Sequence, residues 1–538
     1  MLLSPKRSQC NGLLLATLAL AGCSRSSVTG PESDAASAAA PPTDPLERLR
    51  GLMSPAEHAA LSGPRGVLRR AEGAWDGYTL VMPLVSTKVH LVDLGGEVVH
   101  TWETGHAPGG WCYLMDDGTL LHAARQDESP KFKGGGIGGI VRRLAPDGTV
   151  LWRYDLANDE RCQHHDLEPL PNGNVLMIAW ERVPKDEAIA LGRRPELVGE
   201  VGLWMDMLLE VRPTPPLGGE VVWEWHAKDH LVQDYDPARP NFGKPAEHRG
   251  RIDLNFDHVP PAEQNAEAAR AEAARRQAMA ALGYGGGADE PAPPPSGPPP
   301  TAPPPHDWDR SGDWTHTNAV EHDAEHDLLV LSSPELCQIF VIDHSTTSAE
   351  AATEQGGRFG RGGALLWRWG NPAFEGVGGP AQKRLFYQHD PTWLPRAPGG
   401  PLRLLVFNNG GERPDGRDRS EVLELELPFD PAAGFSVQAG RPYGPVKPVW
   451  SYEDQATFFS AFISGARRLP NGNTLVCSGA PGRIFEVTPA GELVWDYYNP
   501  HGGDFEAPDH AGKAPPLALY RADRYAPDHP GIAVLLGR

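Results

Sequence analysis

Apolar and polar residues alternate in short runs along most of the chain, and turn-forming pairs interrupt the runs at close intervals. A period of two puts successive side chains on opposite faces of a strand, so the pattern predicts half-buried strands. One phrase recurs: an alternating strand, a PNG- or DG-type turn, a second strand, and later a strand that ends on tryptophan. The LPNGNVL run from Leu170 to Leu176 returns as LPNGNTL from Leu469 to Leu475. Asn-Gly between apolar runs favours a tight hairpin, because both turn positions need positive φ. The closing strands end alike, on Trp152, Trp223, Trp367 and Trp495.

Six such units fall near residues 78–103, 110–155, 164–226, 316–370, 388–452 and 464–498. Each has the size of one propeller blade of four short antiparallel strands, with an apolar face that only a neighbouring blade can cover. The expected fold is all-β, a six-bladed β-propeller over residues 76–500. A β-helix would repeat at shorter intervals, and a β-sandwich less regularly. Residues 24–75 are expected to form a tether and N-terminal extension, and residues 501–538 a C-terminal extension packing on the propeller. Between the third and fourth units lies an insertion, residues 261–312, whose first part is Ala-, Glu- and Arg-rich and helical and whose second part is proline-dense. It reads as a surface excursion or as a lid.

The N-terminus changes the picture of where the protein works. Lys6 and Arg7 precede the apolar run Leu13 to Leu20, and Leu20-Ala21-Gly22-Cys23 follows. The run is too short to span a bilayer, and small residues ahead of a cysteine suit cleavage and lipid attachment to that thiol. Residues 1–23 are therefore expected to be a lipoprotein signal peptide, with Cys23 anchoring an exported protein to the cell envelope, on the periplasmic or outer surface. The chain carries 70 acidic against 49 basic residues, a formal charge of -21. That balance argues against nucleic acid as a partner, though not against a small anionic substrate held by local donors. Cys112, Cys162, Cys337 and Cys477 lie far apart without a CxxC pattern, so they are either buried thiols or members of one or two bridges. No metal or cofactor is implied, and the chain leaves room for a homodimer.

Candidate chemistry comes from aligning the units on their first hairpin turn. Leu170-Pro171 lies five residues after His165, Leu394-Pro395 five after His389, and Leu469-Pro470 five after Ser464. The first strand of each blade lines the central channel, so His165, His389 and Ser464 should be neighbours there. His316 and Asn318 of the fourth unit fall in the same region, and His164-His165-Asp166 nearly repeats as Gln388-His389-Asp390. Imidazoles converging on one channel are costly unless hydrated, paired or bound to a ligand, and Asp166 and Asp390 are the natural orienting partners. Gly134, Gly136 and Gly139 satisfy a GxGxxG spacing, but a strand follows, so a flexible hairpin loop is expected instead of a dinucleotide site.

The strings Trp314 to Asn318 (WTHTN), Gln388-His389-Asp390, Val341 to Thr347 (VIDHSTT) and Phe407 to Gly411 (FNNGG) resemble signature segments of bacterial arylsulfotransferases. The similarity extends over most of residues 75–525. That resemblance implies a six-bladed propeller that moves a sulfuryl group from a phenolic sulfate ester to a phenol, without a nucleotide donor, a metal or a cofactor. The family's transiently sulfurylated histidine corresponds to His389. His164 or His165, with His316 and Asn318, correspond to the residues that hold the sulfuryl oxygens and assist proton transfer. One departure stands out. The family usually carries an arginine in a Ser-Ser-Arg or Ser-x-Arg context where this chain reads Ser332-Ser333-Pro334-Glu335. Either another cation such as Arg467 or Arg419 serves, or transfer is weak or lost and the chain is a non-catalytic propeller lipoprotein that binds a ligand or a cell-envelope partner in the same channel.

Overall fold

In a computed structural model, the strands assemble into six antiparallel sheets of four strands, the last widened to five. The described residues are 55–126, 131–132, 134–256, 312–454, 458–502 and 517–538. The signal peptide, the first part of the tether and the insertion up to residue 311 lie outside them. In the second to fifth blades the strands follow one another along the chain, and the first is innermost. The inner strands are Pro108–Leu114, Arg161–Pro169, Ala319–Asp323, His389–Trp393 and Gly465–Arg468 for the second to sixth blades. The six-bladed all-β propeller read from the repeats is therefore the fold.

Both segments expected to flank the propeller contribute strands to it. The first unit supplies three strands, and Asp523–Tyr525, from the far end of the chain, pairs with Tyr78–Val81 as its inner strand. Gly66–Arg70 pairs with Leu493–Tyr498 as the fifth, outer strand of the sixth blade. The physical reason is edge closure: a ring of sheets leaves fewest unpaired backbone groups when its two chain ends finish adjacent blades. Arg524 ties that seam. It donates to Glu486 Oε2 at 2.6 Å and Thr79 Oγ1 at 2.9 Å, and its guanidinium lies over the Trp495 ring.

Every seam between adjacent blades holds its own apolar cluster, so the ring has six cores instead of one. The recurring tryptophans mark these seams. Trp152 Nε1 donates to Gly218 O, Trp223 to Thr346 Oγ1, Trp367 to Gly444 O, Trp450 to Pro489 O and Trp495 to Leu94 O, at 2.7 to 3.1 Å. Each indole sits on the fourth strand of one blade and reaches the loop before the fourth strand of the next. Large apolar area and one directed N–H together fix the spacing between blades. Trp102 occupies the same place in the first blade, and its buried Nε1 has no partner among the described residues. Among the described residues Cys112, Cys337 and Cys477 are buried free thiols, and Cys162 is buried as well.

Candidate active site

The inner strands are irregular where the histidines lie. In the third blade Gln163 pairs with Ala179 and Leu167 with Met177, so His164, His165 and Asp166 all face the single residue Ile178. In the fifth blade His389 pairs with Phe407 and Thr392 with Leu405, so a second bulge falls on Asp390 and Pro391. A bulge re-aims side chains at a strand end. The backbone agrees: His165, His316, Tyr387, Asp390 and Ser464 all have positive φ between 50° and 92°. Such residues cost energy and cluster where geometry serves a function.

The bulges bring His164, His165, His316 and His389 together. The His165 and His316 rings meet edge to face, 4.4 Å between centroids, and His164 Nδ1 lies 2.8 Å from His165 Nδ1. His164 stacks on Trp180 at 4.0 Å, and its Nε2 lies 3.1 Å from Asp206 Oδ1. His316 Nδ1 is 2.5 Å from Asp313 Oδ2, and Trp180 Nε1 donates to the other Asp313 oxygen. The glycine-rich loop packs against this group: a Cβ at Gly136 would fall 2.3 Å from the His165 ring. That loop is a fitted wall, not the free hairpin its composition suggests.

His389 is oriented by an amide. Asn409 Nδ2 donates to two carbonyls, Ser460 O and Ile463 O, each at 2.9 Å, which fixes Oδ1 on the other side, 2.8 Å from His389 Nδ1. Tyr387 O lies 3.0 Å from the same nitrogen. Two acceptors on Nδ1 require it to carry the proton, so the lone pair is on Nε2. Burial holds the His389 imidazole down at about 4, with the nearby His316 charge adding to that and the Asn409 bond opposing it. For His316 burial also disfavours charge, but Asp313, Glu335 and Asp206 outweigh it and raise the imidazole to about 9. His165, depressed by burial and by its three histidine neighbours, stays neutral. Neutral His165 and His389 therefore stand beside the His316 imidazolium.

Asp166 and Asp390 do not orient these rings. Their carboxylates are bridged by the buried Arg521, whose Nη1 is 3.0 Å from Asp166 Oδ2 and 2.7 Å from Asp390 Oδ1. A fully buried guanidinium demands carboxylate partners more strongly than a neutral imidazole does, which is why the aspartates turn to it. Arg467 also binds Asp390, at 2.6 Å, and reaches Asp523 at 2.6 Å. Arg419 is engaged by Asp415 and lies 3.5 Å from Glu453. Both expected substitutes for the missing arginine are thus bound to carboxylates, and Pro334 O closes a turn with Cys337 N at 2.9 Å. Ser464 belongs to the wall: its hydroxyl donates to Ser460 Oγ and accepts from Gly479 N. Asn318 donates to Gln388 O at 3.0 Å, coupling the His316 segment to the His389 segment.

Four residues that hold the site were not singled out from sequence: Asp206, Asp313, Asn409 and Arg521. Asn409 stands inside the FNNGG string, a signal that was present. Arg521 had an indirect one, since a first unit of three strands is one short of a blade and needs a strand from elsewhere.

Fold and site together define a six-bladed propeller with a histidine-ringed channel. Within that class, residues 115–352 match the model of the arylsulfotransferase (ASST) family, which bears out the resemblance read from the sequence and supports an arylsulfotransferase-type function in general terms. The matched span contains His164, His165, His316 and Asn318 and ends before His389. No curated protein matches the chain. Among solved structures, a protein of unknown function from Bacteroides caccae is 10% identical, covering 84% of this chain and 98% of its own, with a TM-score of 0.38. The periplasmic gluconolactonase PpgL of Pseudomonas aeruginosa is 14% identical, covering 78% and 94%, with a TM-score of 0.35.

Proposed function

We propose that the histidine ring transfers a sulfuryl group from a phenolic sulfate ester to a phenol through a sulfurylated His389. The observation that carries this reading is the Asn409 amide, which holds the proton on Nδ1 and so leaves the Nε2 lone pair of a neutral imidazole as nucleophile. Nε2 attacks sulfur, the sulfur–oxygen bond to the aryl group breaks, and the electron pair leaves on the phenolate. His316, charged and held through Nδ1 by Asp313, protonates that oxygen. The acceptor phenol returns a proton to His316, its oxygen takes the sulfuryl group, and the nitrogen–sulfur bond breaks. Until it gives up its proton, the His316 imidazolium supplies the cation that the family's arginine would provide. Asn318 acts as a positioning residue. On the lipoprotein signal, the reaction is assigned to the cell envelope, with the chain anchored through Cys23.

The test uses p-nitrophenyl sulfate with a phenol acceptor. His389→Ala is expected to lower acceptor-dependent nitrophenol release by at least about 10³-fold, and rapid-quench labelling should trap acid-labile sulfate on the wild type alone. Turnover unaffected by His389→Ala would overturn the nucleophile. No turnover with any aryl sulfate would favour a binding module.

A further inference from the structure

The fourth blade carries a second group of ligating side chains, at the end of its strands away from the histidine ring. His322 lies on the inner strand, Asp327 in the turn that follows, and His344 just beyond the third strand, Gln338–Asp343. Asp327 Oδ1 sits between two imidazoles, 2.8 Å from His322 Nε2 and 2.7 Å from His344 Nδ1. All three ligand atoms lie within 4.8 Å of one another. The rings are 5.4 Å apart and cross at 72°, so both nitrogens face one point instead of stacking past it.

We infer that His322, Asp327 and His344 form a binding site for a divalent transition-metal ion of the zinc class. Two imidazole nitrogens and one carboxylate oxygen are too rich in nitrogen for calcium or magnesium and match zinc sites that keep one position open. Opening the present contacts to about 3.3 Å would accommodate ligand bonds of about 2.0 to 2.1 Å. The outer shell points the same way. His344 Nε2 lies 3.2 Å from Glu210 Oε2, and Glu210 Oε1 accepts from Asn172 and Asn174 at 2.9 and 2.5 Å. A carboxylate fixed by two amides beside Nε2 favours a proton there, the tautomer that presents the Nδ1 lone pair to a metal. Trp223 packs edge-on against His344, 4.7 Å between centroids. Two of the three ligands, Asp327 and His344, line a cavity of about 580 Å³ together with Glu210, Trp223, Ser345 and Thr346. Glu210 and the two asparagines belong to the third blade, so the ion would clip two blades together.

The experiment is zinc titration of the chelator-stripped chain by calorimetry, with metal content measured after dialysis. One zinc per chain is expected, retained by the His165→Ala/His389→Ala double variant, whose channel histidines could otherwise compete. Asp327→Asn, at a half-buried turn position where asparagine accepts the positive φ of 57°, should lose at least ten-fold in affinity while keeping its circular dichroism. His322→Gln should do the same, and Glu210→Gln should lose ten- to hundred-fold. Cobalt loading should give the visible absorption of a tetrahedral site. Zinc binding that survives both Asp327→Asn and His322→Gln, or disappears in the channel double variant, would overturn the assignment, as would no binding at all.

Discussion

At the scale of single residues, the His389 and His316 shifts set a pH window. His389 has a depressed value, so under the proposed mechanism its nucleophilic neutral form gains activity as pH climbs through about 4, and His316 serves as cation and acid only below about 9. A plot of kcat/KM against pH should be flat near neutrality and fall on both sides, and His316→Asn should remove the alkaline limb with a loss of roughly 10²- to 10⁴-fold. Asn409→Leu should cut kcat far more than KM, since it frees the proton to move to Nε2. The histidines were legible because the repeat aligns them without any coordinates. Their partners were not, because Asp206 and Asp313 approach from a third strand and a loop that no repeat places. The aspartates that follow His165 and His389 in sequence pair instead with a buried arginine, 131 residues beyond Asp390.

Among the elements, the strand bulges and the glycine-rich loop decide the geometry. Turn chemistry and alternation made the strands and hairpins readable, since Asn-Gly and period-two patterning are local. A bulge is a mismatch between two strands, and neither strand alone announces it. Gly136 illustrates the cost: its spacing resembled a nucleotide motif, while its work is to let the loop approach His165 with φ at 67°. Gly136→Ala should destabilise the fold by about 1–2 kcal/mol and, by displacing the imidazole, depress turnover more than that loss explains. Thermal melts and kcat measured on the same preparation separate the two effects.

The whole molecule depends on how its ring is closed. The closure was hidden from sequence because neither end strand carries the tryptophan-ended phrase, and each pairs with a blade whose other strands are hundreds of residues distant. Arg524 and Glu486 are both fully buried at that seam. Arg524→Ala should therefore cost about 3–5 kcal/mol by leaving a buried carboxylate unpaired, while replacing both partners by apolar residues should cost much less; chemical denaturation of the two variants distinguishes these outcomes.

The indole links around the rim have a further consequence for the chain between Phe256 and Gly312. The third and fourth blades on either side of it are already joined by Trp223 to Thr346, by Trp225 to Gly363 and by a shared apolar core. Covalent continuity at that point is redundant for holding the particle together. A protease that cuts there should yield two polypeptides on a denaturing gel and a single species on a sizing column, so one histidine ring can be assembled from two pieces, with His165 on one and His389 on the other.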